Sequence, residues 1–279
     1  MSFYDGLAAR GAKLHYNKPN DFSQLEANIQ KYGPGIILIE SIYSISGTFS
    51  PIEEIIRIKK QYGCVLVVDE SHSFGLFGKE GRGYVHMKGV QNDVDFVTAS
   101  LSKAYSTRAG IVFSPNSTFV KENSFTYVFS SALMRNDIVR IRAMWDLIKA
   151  SDDRRQKLQE SSRLLRRELS KVAPVVKVQY PSSIFRMGGL ALPSHKNVKY
   201  EGPTSAIISI RSKDEEEMSA LHHHLSARGI LVSPFCAPAT SPKHPIVRIT
   251  VNASTTPDEI CKVTSAVAEF MRPAITAKL

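Results

Sequence analysis

The 279-residue chain, 43% hydrophobic and 22% charged, has an ordinary globular composition and can bury the cores of one larger and one smaller domain. No stretch approaches the roughly eighteen apolar residues of a membrane span, and Met1-Ser2-Phe3-Tyr4-Asp5 lacks the basic and apolar regions of a secretion signal, so a cytoplasmic location is expected. Cys64, Cys236 and Cys261 are widely spaced with no CxxC pair, which argues against a disulfide framework and against a bound metal, and the net charge of +10 favours anionic partners.

In chain order, Asp21 to Tyr32 reads as a helix and Gly35 to Glu40 as a strand. A helix follows from Pro51 to Tyr62, with Ser50 as its N-cap and Pro51 in its first turn. The apolar run from Cys64 to Val68 reads as a fully buried parallel strand ending at Asp69, and Val94 to Ser100 and Gly110 to Phe113 are the next strands. This alternation predicts a mostly parallel, doubly wound sheet in a large domain over residues 1–150.

Two periodic helices, Asn136 to Ala150 and Asp152 to Val172, carry the chain out of the sheet into a linking helix and small C-terminal domain, residues 151–279. There the strands Val175 to Gln179, Ser183 to Met187, Ala206 to Arg211, Ile230 to Pro234 and Ile246 to Val251 accompany helices Asp214 to Arg228 and Thr256 to Met271, an α+β set. Gly229 is placed to end the first of these helices, and Ser194 to Gly202 reads as a mobile polar loop. The basic cluster Arg154, Arg155, Arg163, Arg166, Arg167 and Lys171 reads as a solvated helix face. It has no interleaved aromatics, so nucleic acid is not expected as a partner. His222-His223-His224 are consecutive on a helix and point about 100° apart, so they read as helix surface and not as a metal site.

The chemistry is concentrated in two segments. Asp69-Glu70-Ser71-His72 follows one predicted strand and Ser100-Leu101-Ser102-Lys103-Ala104 the next, both at carboxyl ends of one sheet, where open α/β sheets place ligands. A buried aspartate keeps its charge when paired with a cation. The protonated ring nitrogen of pyridoxal 5'-phosphate is such a cation, and Lys103 would supply the Schiff-base amine.

Asp69-Glu70-Ser71-His72-Ser73-Phe74-Gly75, Ser100-Leu101-Ser102-Lys103-Ala104 and Val247-Arg248-Ile249-Thr250 resemble the α-oxoamine synthases, pyridoxal phosphate enzymes of fold type I. Glu40-Ser41-Ile42-Tyr43-Ser44 and Thr107-Arg108-Ala109-Gly110 agree with them in spacing. Phe129-Ser130-Ser131-Ala132-Leu133 and Phe235-Cys236-Ala237-Pro238-Ala239-Thr240 are similar to the quorum-sensing synthases of α-hydroxyketone autoinducers.

This resemblance implies that Lys103 holds the cofactor covalently and then serves as acid and base at the substrate α-carbon, while Asp69 pairs with the pyridinium nitrogen. It further implies that His72, also catalytic, and Ser44 bond the phenolic oxygen. Ser100 meets the phosphate, with Ser130 and Ser131 approaching from a second subunit of a homodimer, and Arg248 grips the amino acid carboxylate. Tyr43 and Phe74 flank the site or pack in the core. The implied reaction condenses an amino acid with an acyl-coenzyme A to give an α-aminoketone. The alternatives are a sibling synthase using glycine or serine, or a non-catalytic remnant. The glycine-containing phosphate turn and the stacking histidine of the family have no counterpart here, so the chain is expected to be truncated at its N-terminus, with weakened cofactor affinity.

Overall fold

The computed structural model describes residues 2–17, 20–172, 203–241 and 245–272, which fall into two compact units, one built from residues 1–42 and 49–152 and the other from 43–48 and 153–279. The strands expected at Val175 to Gln179 and Ser183 to Met187 and the loop from Ser194 to Gly202 lie outside the described residues.

The first unit begins with α1 (Ser2–Ala8), α2 (Phe22–Tyr32), β1 (Ile36–Glu40), α3 (Ile52–Tyr62) and β2 (Val65–Asp69). After α4 (Tyr84–Met87) come β3 (Phe96–Ser100), β4 (Gly110–Phe113), α5 (Ser117–Asn123), α6 (Phe125–Val128) and α7 (Arg135–Lys149). Its sheet has the order β1-β2-β3-β4, with β1, β2 and β3 parallel and β4 antiparallel to β3. The α2 helix starts where expected because the Asp21 side chain accepts the Gln24 N–H at 3.0 Å.

The core of this sheet is branched aliphatic. Ile52, Ile55, Ile56 and Ile58 of α3 are buried, as are Ile37, Ile39, Leu66 and Val68 of β1 and β2. Each such side chain contributes about 2 kcal/mol by leaving water. Two expectations change. The β2 strand is not buried throughout, since Val65 at its start is 37% exposed and burial alternates along the strand. Nor does Ser50 cap α3: Pro51 takes that place with no side-chain cap bond, because Ser50 is buried, giving its N–H to the Ser41 carbonyl at 2.9 Å. An antiparallel bridge between Ile42 and Phe49 lies next to that bond, so Ser50 closes a narrow neck from which residues 43–48 depart.

The second unit contains α8 (Asp152–Val172) from Asp153 onward, β5 (Ile207–Arg211), α9 (Glu215–Ser226), β6 (Ser233–Phe235), β7 (Ile246–Thr250) and α10 (Pro257–Met271). Its antiparallel sheet runs β5-β7-β6, with Arg248 of the central strand opposite Ser209 and Ser233. The 43–48 turn is bound to this sheet. The Ser209 hydroxyl donates to the Ile45 carbonyl, and Gly47, at φ +68°, approaches Ile207 so closely that a Cβ would sit 2.2 Å from its carbonyl oxygen. Gly229, at φ +70°, ends α9 as expected, and Thr256 with Glu259 forms a capping box on α10.

The basic α8 helix is a solvated face only in part. Arg154, Arg163, Arg167 and Lys171 are exposed, but Arg155 and Arg166 are buried, and Arg166 donates to the carbonyls of Ser205 and Ile207 at 2.9 and 2.6 Å. Long arginine stems can pack while their forks satisfy carbonyls that the sheet leaves open. Likewise His224 is not plain helix surface, since its Nε2 lies 2.9 Å from the Ala266 carbonyl of α10. Among the described residues no helix is long and apolar enough to cross a membrane, and no cluster of side chains could hold a metal ion.

Candidate active site

Parallel strands deliver their last residues to one edge of a sheet, and here β2 ends at Asp69 and its neighbour β3 at Ser100. The Asp69 carboxylate accepts the Ser71 N–H at 2.7 Å and the Thr98 hydroxyl at 3.3 Å. Both donors are neutral, so they orient the half-buried carboxylate without cancelling its charge. The Asp69 carbonyl receives both the N–H and the hydroxyl of Ser41, at 2.9 and 3.2 Å, and the Ser41 and Ser73 hydroxyls are 2.7 Å apart. The Ser71 hydroxyl accepts the Ser100 N–H at 2.8 Å. Three strand ends are thus stitched together by hydroxyls.

Lys103 lies in the turn between β3 and β4. That turn is closed by Leu101 N–H to the Ala109 carbonyl and Thr107 N–H to the Leu101 carbonyl, each 2.9 Å. Leu101, Tyr105 and Thr107 point inward and are buried, while Ser102, Lys103 and Ser106 are exposed, an alternation that leaves the lysine outside the core. Below it Tyr105 stacks on Phe74, with ring centroids 5.3 Å apart, and both rings meet Trp145 of α7. Phe74 is therefore a core residue. Gly75, at φ +87°, lets this turn come close: a Cβ there would stand 2.7 Å from Cβ of Ala104, next to Lys103.

His72 is half-buried in the turn leaving Asp69, so Asp69, His72, Ser100 and Lys103 occupy adjoining loops at one sheet edge. Ser130 and Ser131 are elsewhere in sequence and exposed, after α6, with the Ser130 hydroxyl turned back to the Thr126 carbonyl. No hydrogen bond among the described residues joins either of them to Ser100. Tyr43 and Ser44 belong to the second unit, as does Arg248.

In that unit the Arg248 guanidinium donates from Nη1 to the Ser44 carbonyl at 2.8 Å and lies over the Phe235 ring, 4.7 Å from its centroid. Burial pushes its pKa down from the ordinary arginine value. Its buried Nε has no hydrogen-bond partner among the described residues.

Several contributors escape sequence reasoning. Thr98, Ser71, Ser41 and Ser73 are ordinary hydroxyl residues until the strand order brings them to Asp69. Glu70 is fully buried, and the loss of water pushes its carboxyl up to about 7, against the opposing bonds from the Val85 N–H at 2.7 Å, the Ser73 hydroxyl and the Tyr84 N–H; the Asp69 charge raises it further.

The donor set fits pyridoxal phosphate. An oriented carboxylate suits a pyridinium, the exposed lysine an aldehyde, and the Ser100 and Ser102 hydroxyls, 2.7 Å apart, suit a phosphate.

Comparison with known proteins agrees. A profile of the family described as aminotransferase class I and II matches residues 1–267. The CAI-1 autoinducer synthase of Vibrio campbellii is 31% identical over 96% of this chain and 63% of that protein, and the serine palmitoyltransferase of Sphingomonas paucimobilis is 25% identical over 93% and 58%. A high-resolution structure of SPT with its PLP internal aldimine superposes with a TM-score of 0.80 at 25% identity, covering 97% of this chain and 64% of that one. The chain thus spans roughly three fifths of the length of such relatives, which are α-oxoamine synthases, and its fold is that of a fold type I transferase, a mixed sheet with flanking helices and a smaller α+β part. On the family profile and this fold together, the chain belongs to the aminotransferase class I and II family.

Proposed function

We propose that the chain carries the catalytic core of a pyridoxal phosphate-dependent acyltransferase that condenses an amino acid with an acyl-coenzyme A, releasing the thiol. The observation that carries this reading is the juxtaposition of the neutral-donor-oriented Asp69 carboxylate and the exposed Lys103 on neighbouring strand-end loops. When bound, the cofactor supplies an aldehyde for the lysine and an electron-withdrawing pyridinium ring.

In this reading Lys103 holds the cofactor and later takes and returns the proton at the amino acid α-carbon. Asp69, fixed by Ser71 and Thr98, holds the positive charge on the ring nitrogen. His72 and Ser44 bond the phenolic oxygen, and Ser100 binds the phosphate with its hydroxyl. Arg248 receives the α-carboxylate. The new carbon–carbon bond forms at the thioester carbonyl as the carbon–sulfur bond breaks and coenzyme A leaves. Residues 1–150 act as the cofactor domain and 151–279 as a smaller domain that carries Arg248, with the protein working in the cytoplasm.

A homodimer belongs to the same proposal. From α6 into α7, Phe125, Tyr127, Val128, Phe129, Met134, Ile138 and Val139 are each more than half exposed, a concentration of apolar surface unusual for a lone chain. Ser130 and Ser131 sit within it, where a second copy could receive them at its phosphate site. The similarity to the autoinducer synthase favours quorum-signal synthesis as the role, and the similarity to serine palmitoyltransferase supports the sibling activity with serine.

The test is thiol release from acyl-coenzyme A of graded chain length with pyridoxal phosphate and a panel of amino acids. Release that needs both the cofactor and one amino acid is expected. A protein that takes up the cofactor yet releases no thiol with any pair would overturn the acyltransferase reading in favour of a non-catalytic remnant.

A further inference from the structure

We infer that Phe235 is a positioning residue that fixes the guanidinium of Arg248 for the substrate carboxylate, an inference that rests on the proposed amino acid site. Strand register alone does not place that guanidinium. Arginine carries about 2 kcal/mol of rotamer entropy, so its fork needs contacts to hold it.

Two such contacts exist. Arg248 is paired with Ser233 across β6 and β7, and Phe235, two residues on, shares the Ser233 face of β6. That diagonal offset is within reach of long side chains, and the ring lies 4.7 Å from the guanidinium carbon. The Ser44 carbonyl holds Nη1 at 2.8 Å. Stacking uses the face of a guanidinium, whereas a carboxylate binds its edge, so ring and substrate do not compete. With Nη1 committed to Ser44, the edge formed by Nε and Nη2 remains for a two-pronged carboxylate, and Nε is the buried atom lacking a partner among the described residues. The Phe235 ring also keeps water from one face, which strengthens a charge-assisted bond at that edge.

The division of labour predicts a specific signature. Losing the ring should weaken carboxylate recognition while sparing ligands that lack the charge. We would load the full chain with pyridoxal phosphate and measure by calorimetry the binding of glycine, L-alanine and L-serine against their carboxamides. For the unsubstituted protein the acid should be preferred by about tenfold or more.

Phe235→Leu should cut that preference about fivefold. Phe235→Tyr should retain it. Phe235→pentafluorophenylalanine, which keeps the ring volume but reverses the charge of its face, should cut it as leucine does, so the result does not hang on the packing of one variant. If the acid preference is present and survives both the leucine and the fluorinated variant, or if acid and amide weaken equally, the role of Phe235 is overturned and the Arg248 assignment stands. If the unsubstituted protein shows no acid preference, the Arg248 assignment itself falls, and this inference with it.

Discussion

The edge of the parallel sheet and the 43–48 turn with β7 hold their functional residues by different means. At the sheet edge, topology does the placing: β2 and β3 are adjacent and parallel, so Asp69 and Ser100 arrive together, and short serine and threonine hydroxyls finish the alignment. In the second unit, Arg248 leaves the middle of an antiparallel strand on a long side chain, and its position depends on Phe235, the Ser44 carbonyl and the seating of the turn against Ile207. The first arrangement should tolerate change at the periphery and fail only when a reacting group is removed. The second should be sensitive to its supports.

Removing the reacting group has the largest expected effect. Lys103→Ala should abolish amino-acid-dependent thiol release while leaving the circular dichroism spectrum unchanged, since the side chain is exposed and its turn is closed by backbone bonds. Gly47→Ala comes next. Its Cβ would collide with a backbone carbonyl at positive φ, so the urea midpoint should fall by the equivalent of about 4 kcal/mol, and carboxylate recognition should weaken with it.

Glu70 gives a pH signature in the first unit. Its folded pKa of about 7 lies above the ordinary glutamate value of 4.5, so the folded state holds this proton more tightly than the unfolded chain. The stability it contributes is present below pH 4.5 and is lost as pH rises through about 7, a change of up to about 3 kcal/mol. In Glu70→Gln this part of the pH dependence should vanish, seen as a difference in Tm between variant and parent that grows from pH 4.5 to above 7.

Arg248→Lys should weaken acid binding by about thirtyfold, because an ammonium cannot form the planar fork, with a smaller loss for the amide. The smallest effect is expected of Gly75→Ala. Its Cβ would press on a side-chain methyl instead of a carbonyl, costing about 2 kcal/mol, and it should slow cofactor capture by displacing the Lys103 turn. A Gly75 variant as damaging as the Gly47 one would erase the contrast between the two regions.

The sequence makes the parallel-sheet site legible to the extent that position along a strand decides function. Apolar runs ending in Asp69 and Ser100 mark strand ends, and these are the elements the structure delivers. The helices expected from Asp21 and from Thr256 start there because each start is held by a side-chain cap, which is local. Ser50 defeats the same reasoning because its backbone is engaged by Ser41, nine residues earlier, a tertiary contact that no local pattern announces. Buried Arg166 and the inward His224 fail for a related cause: charge in a sequence suggests solvent, and only the position of the open carbonyls of Ser205, Ile207 and Ala266 shows otherwise. Phe235 carried no signal beyond its place in a family-like run, since its partnership with Arg248 is diagonal across strands ten or more residues apart in sequence.

The most direct test of the account is to add pyridoxal phosphate to the purified chain, record the visible spectrum, reduce with borohydride and map the modified peptide by mass spectrometry. A visible band and a single reduced adduct on Lys103, absent from Lys103→Ala, is the predicted result. A reducible adduct that persists on another lysine in Lys103→Ala, or a folded chain that forms none, would contradict the assignment of the sheet edge as the cofactor site.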